Sequence, residues 1–306
     1  MIIVIYLLTI YHKPVLLSES INGLNIKPNG VYVDVTFGGG GHSKEIIKNI
    51  KDGFLFSFDQ DKDAIRNKLP NLNFKLIRSN FKYIKNFLKL EGITKIDGLI
   101  ADLGVSSHQI DVPERGFAYK FDASLDMRMN SDSNLNAINV INEYTEKELS
   151  DIFFYYGDFK DSKKIAKQIF NKRNEKEIIS THDLIAALEG LFSEKNKNKY
   201  LARIFQSIRI EVNDEINSLK KLLNDATELL KSEGRLVVIS YHSLEDRLVK
   251  NLINKGNVDG ENNQDFFGRV TKIYAPINKK VIIPNKEEGK QNKRSRSAKL
   301  RIAEKI

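Results

Sequence analysis

The sequence predicts an α/β protein in which a parallel sheet is interrupted by an inserted helical domain. Three observations indicate this fold: short apolar strands alternate with helical stretches over the first hundred residues, strands are missing from about 109 to 203, and a buried strand pattern returns at 235–240. Alternating strands and helices favour a parallel sheet, because each crossover helix packs on a face of that sheet. Such a sheet carries its ligand sites beyond the carboxyl ends of its strands.

Four short apolar runs supply the predicted strands of the first half. The first run is β-branched and is followed by four glycines and then by a helical stretch with Ile46, Ile47 and Ile50 at core spacing. The second run is rich in Phe and precedes a helix predicted over residues 63–69. The four predicted strands are residues 31–35, 54–58, 74–77 and 96–101.

The helical stretch in the middle of the chain is interpreted as an insertion, and the sheet pattern resumes after it. A long amphipathic helix carries an apolar stripe that begins at Ile216, and we expect Gly234 to end it. Residues 251–268 are rich in Asn and Gly and predict a loop, and residues 298–303 alternate as a half-exposed final strand would. The helices predicted within the insertion are residues 145–155, 162–171 and 181–191.

Composition excludes several classes of protein. The 306 residues are 41% hydrophobic and 29% charged, which is ordinary for a globular protein of one large domain or two smaller ones. The chain has no cysteine, and this removes disulfides, thiol nucleophiles and thiolate metal sites together. His12, His108 and His182 have no partner at ligand spacing, so the sequence predicts no metal site.

The net charge of +9 is concentrated at the end of the chain. Residues 269–306 hold 12 Lys and Arg against 3 Asp and Glu, while the residues before them hold 37 of each sign. A local positive field of this kind attracts polyanions such as nucleic acid or an anionic membrane. A solvated basic tail is the alternative interpretation of charge alone.

The first ten residues are apolar but too few to cross a membrane. A spanning helix needs about 20 apolar residues. A secretory signal needs a basic start and a cleavage site of small residues, whereas residues 11–14 are Tyr-His-Lys-Pro. We therefore expect a soluble, cytoplasmic protein with no membrane contact.

The four glycines at 38–41 predict a ligand loop at the end of the first strand. They lack the closing Lys-Ser or Lys-Thr of a phosphate loop, and the dinucleotide fingerprint fails at Ser43. Asp59 ends the second strand, where a carboxylate accepts hydrogen bonds from a ribose diol. Loop and acid together predict a nucleoside cofactor, and both nicotinamide and adenosylmethionine cofactors remain open at this point. A simple glycine-rich turn is the competing interpretation.

Polar side chains also follow the fourth strand and the strand at 235–240. Asp102 stands where an amino-group methyltransferase would hold its target base, although a helix-capping aspartate would look the same. His242 is a candidate acid or base near neutral pH, and a histidine paired with a neighbouring carboxylate is the alternative. A serine hydrolase is excluded because no G-x-S-x-G elbow is present.

Nine ordered segments resemble the bacterial RsmH (MraW) family, the small-subunit ribosomal RNA cytosine-N4 methyltransferases. The resemblance spans nearly the whole chain after Tyr11 and leaves the apolar start outside it. The segments are HKPVLL (12–17), DVTFGGGGH (34–42), FDQD (58–61), DLGVSS (102–107), ERGF (114–117), LDMRM (125–129), FQSIRIEVN (205–213), ISYHSLEDR (239–247) and RSAKLR (296–301).

The resemblance implies a class I, Rossmann-like methyltransferase sheet with S-adenosylmethionine as the methyl donor. The implied division is a core in two parts, residues 1–108 and 205–306, around a helical domain at 109–204. The family motifs place Gly40, Gly41 and His42 by the methionine part of the cofactor and Asp59 by the ribose. They place Phe81 by the adenine, and Asp102 and Gln109 in the remainder of the pocket.

The resemblance also implies the substrate, which is a decoding-centre cytidine of 16S rRNA in the small ribosomal subunit. Methylation at N4 needs an acceptor for the amine proton, and we expect Asp102 or a backbone carbonyl beside it to act, with His242 and Asp246 shaping the base pocket. The target base is expected to leave its stack. The oligomeric state stays open, with a dimer as one option. The residues expected to hold phosphates are Lys293, Arg294 and Arg296.

The chain departs from the family pattern at a few positions. Gly39 and His108 stand where a basic residue and a proline are usual, Tyr241 replaces phenylalanine, and Lys293 and Ser295 replace proline and alanine. None of these changes removes an expected cofactor contact. His108 adjoins Gln109, so it is the departure with most bearing on the pocket.

Three alternatives remain beside this prediction. One is a methyltransferase that acts on another RNA or on a protein, and RNA substrates would distinguish it. A second is a non-catalytic RNA-binding protein of ribosome assembly that keeps the fold. Intact Gly40, Asp59 and Asp102 argue against that second alternative. A nicotinamide oxidoreductase is the weakest, because the chain lacks the dinucleotide fingerprint.

Overall fold

The computed structural model describes residues 14–261 and 272–306. The apolar residues 1–10, and residues 262–268 of the predicted loop, lie outside the described residues. The strands are β1 (Val31–Asp34), β2 (Phe54–Asp59), β3 (Phe74–Arg78), β4 (Ile96–Asp102), β5 (Leu230–Ser240), β6 (Tyr274–Pro276) and β7 (Lys299–Lys305).

Helices occur on both sides of the sheet and throughout the insertion. The α-helices are α1 (Leu17–Leu24), α2 (Gly41–Asn49), α3 (Ile84–Leu90), α4 (Ser107–Asp111), α5 (Ala137–Glu143), α6 (Glu146–Tyr155), α7 (Ser162–Glu175), α8 (Thr181–Ala187), α9 (Lys197–Val212), α10 (Glu215–Leu229), α11 (Ser243–Lys255) and α12 (Lys286–Gln291). Short 3-10 helices lie at Ala64–Asn67, Phe81–Tyr83, Pro113–Arg115 and Lys293–Ser297.

The described strands form one seven-stranded sheet in the order β3-β2-β1-β4-β5-β7-β6. The strands from β1 to β5 run parallel, and β7 and β6 pair antiparallel at one side. Val33 of β1 lies opposite both Phe56 of β2 and Leu99 of β4, so the chain order reverses on the two sides of β1. A reversal of this kind opens a crevice at the carboxyl ends of the strands. The predicted α/β sheet is confirmed.

Alternate residues of the strands enter two hydrophobic clusters, one on each face of the sheet. Val33 and Leu99 belong to the cluster that contains α3, α10 and α11, while Tyr32 and Ile100 belong to the cluster that contains α1 and α2. All four are at most 1% exposed. Burying a side chain of this size contributes about 1.5–3 kcal/mol, so the two faces together hold the sheet rigid beneath its ligand edge.

The insertion has a third hydrophobic cluster of its own, which runs from Phe117 to Val212. Asn136, Thr145 and Ser180 begin α5, α6 and α8 as capping boxes, in which the side chain accepts the backbone N–H three residues on. These helices therefore have local start signals as well as a shared core. The predicted domain limits of 109 and 204 stay a prediction, and the second falls inside α9, whose whole length packs into the third cluster.

Arg115 joins the insertion to the sheet. Its Nη1 donates to Asp61 Oδ2 at 2.9 Å and to Asp63 Oδ2 at 3.3 Å, beyond the end of β2. Its Nη2 donates to the backbone carbonyls of Arg128 and Met129 at 2.8 and 3.1 Å. The Arg115 side chain is 13% exposed, so one guanidinium ties two loops of the insertion to the buried end of a strand.

Most predicted elements are present, and three differ for physical reasons. The helix predicted over 63–69 shrinks to the 3-10 turn Ala64–Asn67, because Pro70 disfavours helix at the residue before it. The helix α10 ends at Leu229 rather than at Gly234, and residues 231–234 bulge before β5 pairs with β4 again. The helix α11 extends through Lys255, so the predicted loop begins only at Gly256.

The other predictions for the insertion stand close to the structure. The helix predicted over 145–155 is α6, that over 162–171 is α7, and that over 181–191 is α8, which ends four residues earlier than expected. No strand lies between 109 and 203, where the described residues hold only an isolated bridge from Ser124 to Ser180. None of the helices described here has the length and apolar character needed to cross a membrane.

Candidate active site

A cleft lies at the carboxyl ends of β1, β2 and β4, where the strand order reverses. Its volume is about 290 Å³, and it extends from the glycine loop past α4 to the start of α10. Ligand sites are commonly about 300–1,000 Å³, so the cleft has the size of a small-molecule site. The predicted cofactor residues that line it are Gly41, His42, Asp59, Phe81, Asp102 and Gln109.

The glycine loop brings the backbone and the start of α2 to the wall of the cleft. Gly38 and Gly40 have φ angles of 51° and 73°, which favour glycine because other residues are strained there. A Cβ on Gly41 would lie 2.0 Å from Cγ of Pro14, so the first residue of α2 has no room for a side chain. The loop can therefore accept a ligand against its backbone, with the positive end of the α2 dipole beside it.

Asp59 lies at the end of β2, beside the glycine loop. Its Oδ2 accepts the backbone N–H of Gly38 and its Oδ1 that of Asp61, both at 2.8 Å. Burial raises the pKa of Asp59 to about 6. Each oxygen keeps a further lone pair, so the carboxylate can also accept the two hydroxyls of a ribose.

Phe81 and Gln109 both line the cleft, and their chemistry differs. Phe81 begins a 3-10 turn after β3 and offers an apolar ring. Gln109 is committed to other protein groups: its Oε1 accepts the N–H of Ser106 at 3.0 Å, and its Nε2 donates to Asp61 Oδ2 at 2.8 Å. The Gln109 side chain thus caps α4 and fixes a buried carboxylate at the edge of the cleft.

Asp102 ends β4 and projects into the cleft with its side chain 23% exposed. Its backbone N–H donates to Thr36 Oγ1 at 2.6 Å, which ties the end of β4 to the end of β1. Tyr241 Oη donates to Asp102 Oδ1 at 2.8 Å. Burial raises the pKa of Asp102 to about 6, so the carboxyl is ionised at neutral pH but close to its titration range.

His42 faces Asp102 across the cleft. The His42 Nε2 lies 3.2 Å from the carbonyl oxygen of Val15, and since a carbonyl only accepts, Nε2 carries the proton. Burial lowers the pKa of His42, which keeps the ring neutral and leaves Nδ1 with a lone pair. That Nδ1 lies 4.0 Å from Asp102 Oδ2. Two acceptors therefore point at the same space.

His242 lies beside the cleft as a helix cap. Its Nδ1 accepts the N–H of Glu245 at 3.4 Å at the start of α11, and its Nε2 lies 3.2 Å from Glu245 Oε1. The Glu245 carboxylate lines the cleft and accepts the N–H of Tyr241 at 2.9 Å. The His242 ring therefore lies against a neighbouring carboxylate, and its buried Nε2 makes no hydrogen bond to a described residue.

The carboxylates beside His242 already have a cation. Glu215, His242 and Glu245 bring potential ligand atoms within 4.8 Å of one another. However, Arg209 donates to both oxygens of Glu215, at 2.7 and 2.9 Å. A guanidinium at this distance repels a metal cation, so Glu215 and Glu245 form a wall of the cleft beside Arg209.

Asp246 is not brought to the cleft, and the expectation that it shapes the base pocket needs correction. Its Oδ1 accepts Nε of Arg301 at 2.7 Å, and its Oδ2 lies 3.5 Å from Nζ of Lys299. Both partners belong to β7, which pairs with β5 on the side away from β4. Asp246 is not among the described residues that line the cleft, and it acts as a structural ion-pair partner between α11 and β7.

The three basic residues predicted to hold phosphates lie in a 3-10 turn after α12, and they differ in exposure. Lys293 and Arg296 are exposed. Arg294 lines the cleft and ion-pairs with Asp111 of α4, where Nη1 lies 3.0 Å from Oδ2. The turn is therefore fastened to the rim of the cleft by Arg294 and presents the other two cations outwards.

Sequence reasoning missed several side chains that complete the cleft. Tyr241, Glu245 and Arg209 line it, yet the sequence offered only the segments that contain them. Asn213 was also missed, and its Oδ1 accepts the N–H of Met129 at 2.7 Å. The available signal was the density of polar residues after the strand at 235–240, which marks the edge of the sheet without saying which side chain points inwards.

Comparison with known proteins decides the family. The model of the MraW methylase family matches residues 9–306. The chain belongs to the MraW methylase family. A protein of Flavobacterium johnsoniae named ribosomal RNA small subunit methyltransferase H is 54% identical over 297 residues, which is 97% of this chain and 98% of that protein. The protein of the same name from Phocaeicola vulgatus is 51% identical over the same shares of the two chains.

The fold agrees with membership of the MraW family. The sheet is that of a class I, Rossmann-like methyltransferase, and members of this class take their methyl group from S-adenosylmethionine, which is the cofactor. Among solved structures, an rRNA methylase from Streptococcus thermophilus is 10% identical with a TM-score of 0.43 and covers 95% of each chain. The buried acid Asp59, the ring of Phe81 and the bare glycine backbone fit the ribose, base and amino-acid parts of this cofactor.

Proposed function

We propose that this protein transfers the methyl group of S-adenosylmethionine to N4 of a decoding-centre cytidine in 16S rRNA. Its relatives are named as methyltransferases of small-subunit ribosomal RNA, which supports the class of substrate. The observation that carries the choice of an exocyclic amine is the pair of acceptors in the cleft. Asp102 Oδ2 and His42 Nδ1 lie 4.0 Å apart, and an amino group has two hydrogens to donate.

The cofactor is proposed to lie along the ends of β1 and β2. Gly40, Gly41 and His42 would line its methionine part at the start of α2, and Asp59 would accept the ribose hydroxyls. Phe81 would cover the adenine. Asp102 and Gln109 complete the pocket, Asp102 by direct contact and Gln109 by fixing Asp61 through a hydrogen bond of 2.8 Å.

Asp102 has the central part in the proposed reaction. When bound, S-adenosylmethionine supplies a methyl group on a positively charged sulfur. The cytosine amine is a poor nucleophile because its lone pair is delocalised into the ring, so a group that holds its N–H helps the nitrogen to attack. Asp102 Oδ2 accepts one N–H and takes the proton that the nitrogen loses. Its pKa of about 6 allows it to be ionised before the reaction and to release that proton afterwards.

The RNA is proposed to approach over the rim formed by α4 and the turn Lys293–Ser297. Lys293 and Arg296 are exposed there and would hold phosphates, whereas Arg294 keeps the turn in place through Asp111. The target base would leave its stack to enter the cleft, where Glu245 and Arg209 line the wall that it would meet, with His242 beside Glu245. With this partner, the protein would act in the cytoplasm on the small ribosomal subunit.

The test is methyl transfer from tritiated S-adenosylmethionine to purified 30S subunits that lack the modification, with the product nucleoside identified by mass spectrometry. We expect N4-methylcytidine at one decoding-centre position, and a loss of at least about 100-fold in the Asp102→Ala variant at a cofactor concentration that saturates that variant. The Asp183→Ala variant, which alters an acid of the insertion outside the cleft, should behave as wild type.

Further arms of this experiment identify what fails. The Lys293→Ala, Arg296→Ala double variant should raise KM for the particle and leave cofactor affinity unchanged. Wild-type protein that binds the cofactor but methylates free RNA or a protein instead of 30S would overturn the proposed substrate. Wild-type turnover by the Asp102→Ala variant would overturn the proposed role of Asp102.

A further inference from the structure

The two oxygens of the Asp102 carboxylate have different surroundings. Oδ1 accepts the hydroxyl of Tyr241 at 2.8 Å. Oδ2 lies 4.0 Å from His42 Nδ1, and no described residue donates a hydrogen bond to it. One oxygen is therefore held by the protein, and the other is left for a ligand in the cleft.

Tyr241 is itself held firmly at the end of β5. In the sheet Asp102 lies opposite Ile239, which places Tyr241 two residues beyond this pair. The backbone N–H of Tyr241 donates to the buried Glu245 at 2.9 Å. Gly104 lies against the ring, since a Cβ added there would be 3.6 Å from Cδ2 of Tyr241. The direction of the hydroxyl is thus set by the sheet register and the helix cap, with no dependence on a ligand.

Few groups other than Tyr241 act on the charge of Asp102. The groups that face it are His42 from α2, Asp34 from β1 and Glu245 from α11. Two of these are acids that oppose its ionisation, whereas His42 favours it, although burial lowers the pKa of His42 itself. Among the described residues, Tyr241 makes the only side-chain hydrogen bond to this carboxylate.

We propose that Tyr241 is a positioning residue, whose hydroxyl fixes Asp102 Oδ1 so that Oδ2 is presented, ionised, to the amine of the target base. This inference rests on the proposed function for the identity of the ligand. The step itself conserves the proton of Tyr241: the hydroxyl stays protonated throughout, because burial and the neighbouring Asp102 raise its pKa, and the proton lost by the amine goes to Oδ2.

The proposal predicts a change in pH dependence rather than a loss of the reaction. A hydrogen bond to a carboxylate favours its charged form. Without the Tyr241 hydroxyl, the pKa of Asp102 should rise further above its value of about 6. A bond to a charged group corresponds to a shift of about one pH unit, so transfer near pH 6 should fall several-fold while transfer at pH 8.5 stays close to wild type.

The experiment compares Tyr241→Phe with wild type by two measurements. The first is the titration of the Asp102 carboxyl carbon, followed by NMR on protein with ¹³C-labelled aspartate and assigned with Asp102→Asn. The second is the pH profile of methyl transfer to 30S subunits, with cofactor affinity determined alongside. Tyr274→Phe is the matched control, because Tyr274 is a fully buried tyrosine whose hydroxyl lies 3.0 Å from Thr227 Oγ1. Tyr274 belongs to the edge strand β6, which β5 and β7 separate from β4 and Asp102.

The outcomes separate the inference from the proposed function. An upward shift of about one pH unit in both measurements, with unchanged cofactor affinity and a wild-type profile for Tyr274→Phe, is expected. An unchanged Asp102 titration in Tyr241→Phe would overturn the inference, whatever the transfer assay gives. The Asp102 titration could shift in Tyr241→Phe while the wild-type protein methylates no 30S subunit. This result would overturn the proposed function and support the role of the hydrogen bond.

Discussion

Two strand-end acids of the cleft, Asp59 and Asp102, are held by other kinds of partner than the acids of the insertion. Asp59 and Asp102 meet backbone N–H groups and one tyrosine hydroxyl. In the insertion, Arg128 donates two hydrogen bonds to Asp126, from Nε to Oδ1 at 2.9 Å and from Nη2 to Oδ2 at 2.6 Å. Asp183 meets Lys176 at 2.8 Å in a capping box.

The pKa values follow the partners. Burial raises the pKa of Asp59 and that of Asp102 to about 6. Burial acts in the same direction on Asp126, but the hydrogen bonds and charge of Arg128 outweigh it and its pKa lies below the ordinary range. The hydrogen bond from Lys176 lowers the pKa of Asp183. These two acids of the insertion thus stabilise the fold, while Asp59 and Asp102 carry charges that burial disfavours, a pattern associated with functional sites.

Asp61 sits between these two classes and gives the largest predicted effect. It is buried beside the cleft, yet it has a cation, Arg115 from the insertion. Arg115→Ala would leave this buried charge without its partner, and we expect a loss of about 3–5 kcal/mol in the free energy of unfolding. Urea denaturation followed by circular dichroism measures it.

The control for Arg115 is another arginine that links the two regions. Arg78 of β3 pairs with Asp132, but the two side chains are 42% and 64% exposed. Arg78→Ala should cost less than about 1 kcal/mol. Equal losses in the two variants would contradict the distinction between buried and exposed links.

Asp102→Asn should stabilise the protein at neutral pH while removing activity. The pKa of Asp102 is raised by burial from 3.8 to about 6, so its favourable contribution is present below pH 4 and is lost as the pH rises through 6. Asparagine carries no charge at any pH. We expect a gain of about 1–3 kcal/mol at pH 8 that disappears near pH 4, measured by urea denaturation across that range.

Asp183→Asn provides the opposite sign for the same measurement. Because the folded pKa of Asp183 is lowered, its contribution is present above the unfolded pKa and is lost as the pH falls. The variant should be less stable than wild type at pH 8, by under about 1 kcal/mol, and should approach wild type in acid. A stability loss for Asp102→Asn at pH 8 would contradict the opposite effects of folding on the pKa values of Asp102 and Asp183.

A further prediction concerns a helix start in the insertion. The Ser180 side chain accepts the N–H of Asp183 at 3.1 Å at the start of α8. Ser180→Ala should lower the free energy of unfolding by about 1 kcal/mol, and Ser180→Gly by only a few tenths. Methyl transfer should be unaffected in both, and reduced cofactor affinity in either variant would show that the insertion and the cleft are coupled.

The strands and the glycine loop were predictable because their signals are local. An apolar run that ends in four glycines specifies a strand and a tight loop without reference to the rest of the chain. The start of α6 was predictable for the same reason, since Thr145 is followed by Glu148 in a capping box. The end of α10 was not, because the bulge near the start of β5 depends on how that strand pairs with β4.

The side chains of the cleft depend on contacts between distant parts of the sequence. Tyr241 meets Asp102 because β5 pairs with β4 in one register, and 139 positions separate the two residues. Asp246 lies five residues after Tyr241 but faces Arg301 of β7 instead. Polar residues that are close in sequence after a strand can therefore face different parts of the molecule. The register of the sheet decides which of them reaches the ligand.

The two edge strands of the sheet affect the tendency of the protein to aggregate at high concentration. The margin strand β6 has three residues and ends at Pro276, which has no N–H to offer a further strand. At the other margin, β3 carries Lys75 and Arg78, both exposed. Short length, proline and charge are features that discourage strand addition between molecules. These features protect the seven-stranded sheet from edge-to-edge aggregation at high protein concentration.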